Sequence, residues 1–127
     1  MAITVLIVDD SKLARIVAGK ATASLQPGWR RLEAANAEEA KALLAAGGID
    51  VVLLDYNMPG TDGLALAAEL RALYPEMPMA IVTANAQEEV IARARAANAA
   101  FVAKPVTEEG LRGFLSGAAL RLRMGGQ

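Results

Sequence analysis

Short, almost unbroken apolar runs alternate along this chain with stretches of helical periodicity. The runs fall at Ile3–Val8, Val51–Leu54, Met79–Val82 and Ala99–Ala103, and continuous apolarity of that length predicts strands covered on both faces. A weaker run, Trp29–Ala34, is interrupted by Arg30, Arg31 and Glu33 and is expected nearer a sheet edge. Between the runs, Leu13, Ile16, Val17 and Leu25 mark one apolar face of a first helix. Ala40, Leu43 and Leu44 do so in a second, Leu66, Ala67, Leu70 and Leu73 in a third, and Val90, Ile91 and Ala94 in a fourth. Leu111, Phe114, Leu115, Ala118 and Leu122 complete the set. Asn36 three residues before Glu39 has the spacing of a helix cap, and Gly47-Gly48 closes that helix. Pro27-Gly28 and Pro75 stop the first and third helices. Thr107 before Glu108 and Glu109 suits the start of the last, where carboxylates meet the positive helix end.

Five βα units in this order predict an α/β fold: a doubly wound, five-stranded parallel sheet with helices on both faces. The 127 residues are expected to form one domain spanning 1–127, with no output domain after the fifth helix. The chain holds no cysteine and no histidine, which excludes disulfides, thiolate or imidazole metal sites and phosphate donation from a phosphohistidine. Lys and Arg number 13 against 14 Asp and Glu, a balance that argues against a nucleic-acid surface. The N-terminus lacks the pattern of a signal peptide and no apolar stretch is long enough to span a bilayer. A cytoplasmic protein, without membrane insertion, is expected.

The polar residues at the strand ends carry the chemistry. The first strand runs into Asp9-Asp10, the third into Asp55, the fourth into Thr83 and the fifth into Lys104-Pro105. Sites in open α/β sheets form beyond the carboxyl ends of the strands, so these groups should converge. Three carboxylates repel one another, and one lysine does not neutralise them. Hard oxygen ligands without His or Cys favour Mg²⁺. Thr83 and Lys104 then suit phosphate oxygens, and the set reads as a phosphoryl-transfer site with a carboxylate acceptor.

Asp9-Asp10, the segment Asp55-Tyr-Asn-Met-Pro-Gly-Thr-Asp-Gly63, Thr83-Ala84 and Lys104-Pro105 together resemble the receiver domains of two-component response regulators, the CheY-like family of flavodoxin-like fold. The resemblance implies a phosphoprotein of a phosphorelay rather than an enzyme, with Asp55 as phosphoacceptor. It implies slow autodephosphorylation, and self-phosphorylation from small phosphodonors. Mg²⁺ would be held by Asp10, Asp55 and the backbone carbonyl of Asn57, with Asp9 acting through water. Thr83 and Lys104 would grip the phosphoryl oxygens, and the Lys104–Pro105 peptide would be cis. Thr83 and Phe101 would form the switch, read out on the fourth helix, fifth strand and fifth helix. Phe101 stands where the family often has tyrosine; having no hydroxyl, it would signal only by burial or exposure. Asn57 and Asn85 occupy the two positions that tune acyl-phosphate hydrolysis. Neither is an acid or base, so hydrolysis without strong general-base help is expected. The implied partners are a histidine kinase or histidine phosphotransfer protein and an unknown downstream protein, with this chain a monomer.

Plainer roles compete at single positions. Asp9, Asp10 or Ser11 is a fit cap for the first helix, and Asn85 has cap spacing to Glu88. Thr83 alone suits a strand, and Phe101 suits the core first. Two other functions remain as alternatives. A haloacid-dehalogenase-type phosphatase also uses Asp, Mg²⁺, Thr and Lys, but with its nucleophile at the first strand and a second Asp two residues on. A phosphorylation-independent pseudo-receiver would serve only as a binding module.

Overall fold

The computed structural model describes residues 3–58, 60–84 and 87–125, with the side chains of residues 61 and 124 left aside. Five parallel strands make one sheet: β1 (Thr4–Val8), β2 (Arg30–Ala34), β3 (Val51–Asp55), β6 (Met79–Thr83) and β7 (Ala100–Ala103). Their order across the sheet is β2-β1-β3-β6-β7. A short antiparallel hairpin, β4 (Asn57–Met58) with β5 (Thr61–Asp62), follows β3. The interleaved helices are α1 (Lys12–Leu25), α2 (Ala37–Ala46), α3 (Gly63–Leu73), α4 (Glu88–Ala96) and α5 (Glu108–Gly125).

The unbroken apolar runs are explained by two cores, one on each face. Leu6, Val8, Val52, Leu54, Met79 and Ile81 point into the core shared with α2, α3 and α4. Their alternating neighbours Val5, Ile7, Val51, Leu53, Ala80 and Val82 point into the core shared with α1 and α5. A two-residue side-chain period with both faces covered leaves no position for a polar residue. β2 is an edge strand, as Arg30, Arg31 and Glu33 foreshadow, and all three are exposed. The parallel ladder also carries β3 and β6 one residue beyond their apolar runs, pairing Asp55 with Val82 and Thr83 with Ala103.

Several boundary signals act as expected. The Asn36 side chain accepts from the Glu39 N–H at 2.8 Å, while the Glu39 carboxylate accepts from the Ala35 N–H at 2.8 Å. Gly47 ends α2 at a φ of 87°, a conformation that costs glycine little. Thr107 accepts from the Gly110 N–H at 3.0 Å and opens α5. Ser11, rather than either aspartate before it, caps α1 by accepting from the Ala14 N–H. At α4 the cap position falls on Gln87, and Asn85 lies outside the described residues, as does Pro59.

Three expectations are corrected. The apolar face of α1 marked by Leu13, Ile16 and Val17 is not the buried one; those side chains are 70 %, 40 % and 38 % exposed. Ala18, Ala21 and Thr22 are buried instead, because α1 lies close enough to the sheet and α5 that only small residues fit beneath it. Leu73, in the last turn of α3, is exposed for a simpler reason: the helix ends before its side chain can be covered. Phe101 is half-buried on the edge strand β7, which lacks a neighbouring strand on its far side.

One tertiary tie has no counterpart in the sequence signals. Arg71 on α3 donates to the carbonyls of Ala97 at 3.0 Å, Asn98 at 2.9 Å, Tyr74 at 3.1 Å and Pro75 at 2.8 Å. It joins the end of α3 to the α4–β7 turn, where Asn98 holds a φ of 55°. A hydrogen bond to a charged group contributes about 1.5–3 kcal/mol net of its exchange with water. Arg71→Ala is therefore expected to cost about 2 kcal/mol in urea denaturation, and Arg71→Lys to restore little, since an ammonium lacks the planar fork.

Candidate functional site

β1 and β3 are neighbours in the sheet, yet their following connections leave in opposite directions across it, the arrangement that opens a crevice above the strand ends. Asp9 and Asp10 follow β1, Asp55 ends β3, Thr83 ends β6 and Lys104 follows β7. Asp9, Asp55 and Thr83 are buried, at 5 %, 2 % and 4 % exposure. Asp10 is exposed, and Lys104 is partly so.

The Lys104 Nζ bridges two carboxylates, at 3.0 Å from Asp55 Oδ1 and 3.1 Å from Asp9 Oδ2. Its backbone is held by a hydrogen bond from its N–H to the Thr83 carbonyl at 2.9 Å, and the Lys104–Pro105 peptide is cis. Asp9 is fixed on its other side, Oδ1 accepting from the Ser11 N–H at 2.9 Å. Arg15 secures the same turn by donating to the Asp9 carbonyl at 2.6 Å and pairing with Glu33. At Asp55, Oδ1 also accepts from the Asn57 N–H at 3.4 Å. Asp55 Oδ2 is buried and has no hydrogen-bond partner among the described residues.

An orphaned carboxylate oxygen is costly, and the same burial acts on the protonation of the site. Burial, with the Asp9 charge adding to it, raises the Asp55 pKa above the ordinary value against the lowering pull of Lys104. For Lys104, burial alone would lower the pKa, but hydrogen bonds and charge from Asp55 and Asp9 outweigh it and raise the value. The two shifts describe one arrangement, an ammonium held between carboxylates that it does not fully compensate.

Oxygens of Asp9, Asp10 and Asp55 lie within 4.8 Å of one another. The donor set is all hard oxygen, and the Asp55 Oδ2 atom has an unmet need for a cation or donor. Both properties fit Mg²⁺ better than a soft metal.

Sequence reasoning missed two residues that hold the acceptor loop. A Cβ built on Gly63 would lie 2.8 Å from the Tyr56 Cα and closer still to the Asp55 carbonyl oxygen. Only glycine lets α3 begin so close to the acceptor's backbone. Asp62, paired with Asn57 across the hairpin, caps α3 by accepting from the Leu64 N–H at 2.8 Å and meets Arg93 of α4 at 3.1 Å. Burial would raise its pKa, but the bonds from Leu64 and Arg93 prevail and lower it. The signal was present as Asp62-Gly63 at a helix start, a capping residue before a residue without a side chain.

A cavity of about 280 Å³ opens beside Asp55 and Lys104. Leu13 and Val17 of α1 line one side, and Pro105 and Val106 the other.

Residues 5–116 match the family model of the response regulator receiver domain. A positive alginate biosynthesis regulatory protein of Pseudomonas aeruginosa is 42 % identical over 110 residues, covering 84 % of this chain and 43 % of that protein. The sensor histidine kinase RcsC of Salmonella typhi is 34 % identical over 120 residues, 94 % of this chain and 12 % of its own length. The chain spans less than half the length of these curated relatives. Among solved structures, the chemotaxis protein CheY4 of Vibrio cholerae superposes with a TM-score of 0.83 at 26 % identity, over 93 % of this chain and 99 % of that one.

Proposed function

This chain belongs to the response regulator receiver domain family, and from that membership we propose that Asp55 is the residue that carries the phosphoryl group. The observation that supports this most is the asymmetry of its carboxylate. Oδ1 is occupied by Lys104 and the Asn57 N–H, whereas Oδ2 is buried and unpartnered among the described residues. Oδ2 is the nucleophile: it forms the bond to phosphorus as the P–N bond of a phosphohistidine breaks and the imidazole takes the electron pair.

Asp10, Asp55 and the Asn57 carbonyl are proposed to hold Mg²⁺, with Asp9 acting through water. When bound, the cation neutralises charge on the transferring group and on the acceptor. Lys104 moves its ammonium from Asp55 to the phosphoryl oxygens, and the Thr83 hydroxyl donates to another. Phosphorylation adds about −1.5 to −2 charges at the end of β6 and β7. Thr83 and half-buried Phe101 pass that change to the face built by α4, β7 and α5. Asn57 and Asn85, neither an acid nor a base, leave hydrolysis of the acyl phosphate without a strong base; a phosphoryl lifetime of a second or less would contradict this.

The phosphodonor is a histidine kinase or a histidine phosphotransfer protein. Exposed Leu13, Ile16 and Val17 support its docking on α1, beside the cavity that opens to Asp55. The alternative of a haloacid-dehalogenase-type phosphatase is not favoured by the match of residues 5–116 to the receiver family.

The direct test is incubation with acetyl phosphate and Mg²⁺, followed by intact mass. One phosphoryl group per chain is expected, and none without Mg²⁺. Lys104→Ala removes a charge-assisted contact, which is about 1.5–3 kcal/mol. Its initial labelling rate should therefore fall about 10- to 100-fold.

A further inference from the structure

Asp10 is the exposed member of the acidic cluster. None of the site's hydrogen bonds or ion pairs reaches its carboxylate among the described residues. What places that carboxylate beside Asp9 and Asp55 is therefore the backbone of the β1–α1 turn. The turn is gripped on both sides of Asp9. The Asp9 N–H donates to the Ala34 carbonyl of β2 at 3.1 Å, and the Asp9 carbonyl accepts from Arg15 Nη1 at 2.6 Å. That carbonyl belongs to the peptide group shared with Asp10, and a peptide group is planar. Holding its oxygen thus sets the direction in which Asp10 leaves the turn.

Arg15 stands in the first turn of α1 with its side chain only 15 % exposed. While Nη1 holds the Asp9 carbonyl, Nε donates to Glu33 Oε1 of β2 at 2.8 Å. One planar fork therefore ties α1, β2 and the turn together. Glu33 has a second effect. It offsets the guanidinium charge, which would otherwise oppose a cation held by the neighbouring carboxylates.

We infer that Arg15, backed by Glu33, is a positioning residue for the divalent-cation site and acts through the Asp9–Asp10 peptide. The inference rests on the reading of Asp10 and Asp55 as Mg²⁺ ligands, and it adds what sets the affinity of that site. Groups that orient metal ligands from behind are commonly worth about 10- to 100-fold in affinity. Arg15 reaches its ligand through one backbone carbonyl, so the lower end of that range is expected.

The test is isothermal titration calorimetry of the whole, unphosphorylated chain with magnesium chloride. Arg15→Ala should raise the Kd about tenfold. Arg15→Lys should recover only part of that loss, because an ammonium lacks the fork. Glu33→Gln keeps an acceptor for Nε but leaves the guanidinium charge uncompensated. Its Kd should rise about twofold, and less at high salt. Lys41→Ala breaks the exposed Lys41–Glu69 pair, 2.6 Å long and remote from the turn, and should leave the affinity at the parent's value. In acetyl phosphate labelling, Arg15→Ala should need about ten times more Mg²⁺ for its half-maximal rate, yet reach the parent's rate at saturation. Urea denaturation in EDTA measures its structural share separately.

An Arg15→Ala protein that loses stability but binds Mg²⁺ like the parent would overturn the inference, since Arg15 would then only staple α1 to β2. So would a labelling rate that stays low at saturating Mg²⁺, because Arg15 would then act on the chemical step. Should Arg15→Ala fail to fold, Arg15→Lys and Glu33→Gln decide, and unchanged affinity in both overturns it. A parent chain that binds no Mg²⁺ overturns the metal reading itself, and this inference with it. Parent-like binding by the variants counts against Arg15 alone.

Discussion

Asp55→Asn is expected to reduce labelling by acetyl phosphate to background while leaving a folded protein that melts at a higher temperature than the parent. The two halves of this result share one cause. Asp55 is almost fully buried, its Oδ2 atom lacks a partner among the described residues, and Lys104 offsets only part of the cost of its charge. A carboxyl whose pKa is raised on folding supports the fold below its unfolded pKa, and that support is lost as pH rises through the folded value. At neutral pH the ionised Asp55 is therefore a burden on stability, which an amide does not carry. The amide also has no lone pair with the nucleophilicity of a carboxylate, so the acceptor is gone. Intact mass and a thermal melt by circular dichroism read both. A variant that melts lower than the parent would show that the Asp55–Lys104 pair supports the fold more than burial opposes it.

Gly63→Ala should be the most damaging single-methyl change near the site. The added carbon would lie 2.8 Å from the Tyr56 Cα and nearer still to the Asp55 carbonyl oxygen, both backbone atoms without rotamer freedom. Overpacking a rigid site costs about 1–3 kcal/mol and sometimes more, and here we expect about 3 kcal/mol by urea denaturation. Relief requires α3 to retreat from β3, which displaces Asp55 itself, so labelling should fall with stability. A stable Gly63→Ala protein with a normal labelling rate would contradict the close approach.

The parts of the fold that could be read from the sequence are those where one physical cause acts alone. The runs in β1, β3 and β6 are apolar because both faces are buried, and this left only a parallel sheet with helices on each side. Arg30, Arg31 and Glu33 marked β2 as an edge by the same logic. The convergence of Asp9, Asp10, Asp55 and Lys104 followed from strand polarity, since each stands at a carboxyl end. What escaped detection depended on distances between elements. Periodicity marks α1 by its largest apolar residues, yet packing chose Ala18 and Ala21 because the helix lies close to its neighbours. Gly63 and Arg71 act through backbone atoms far along the chain or across an interface, and a carbonyl contact leaves no residue-type signature.

The most direct measurement is to trap the acyl phosphate where it forms. Protein phosphorylated with acetyl phosphate and Mg²⁺ is treated with borohydride, which reduces an aspartyl phosphate to homoserine, and is then mapped by peptide mass spectrometry. Homoserine at position 55, and at no other aspartate, is the predicted result. Homoserine at Asp9, Asp10 or Asp62, or none in a folded Mg²⁺-loaded sample, would contradict it.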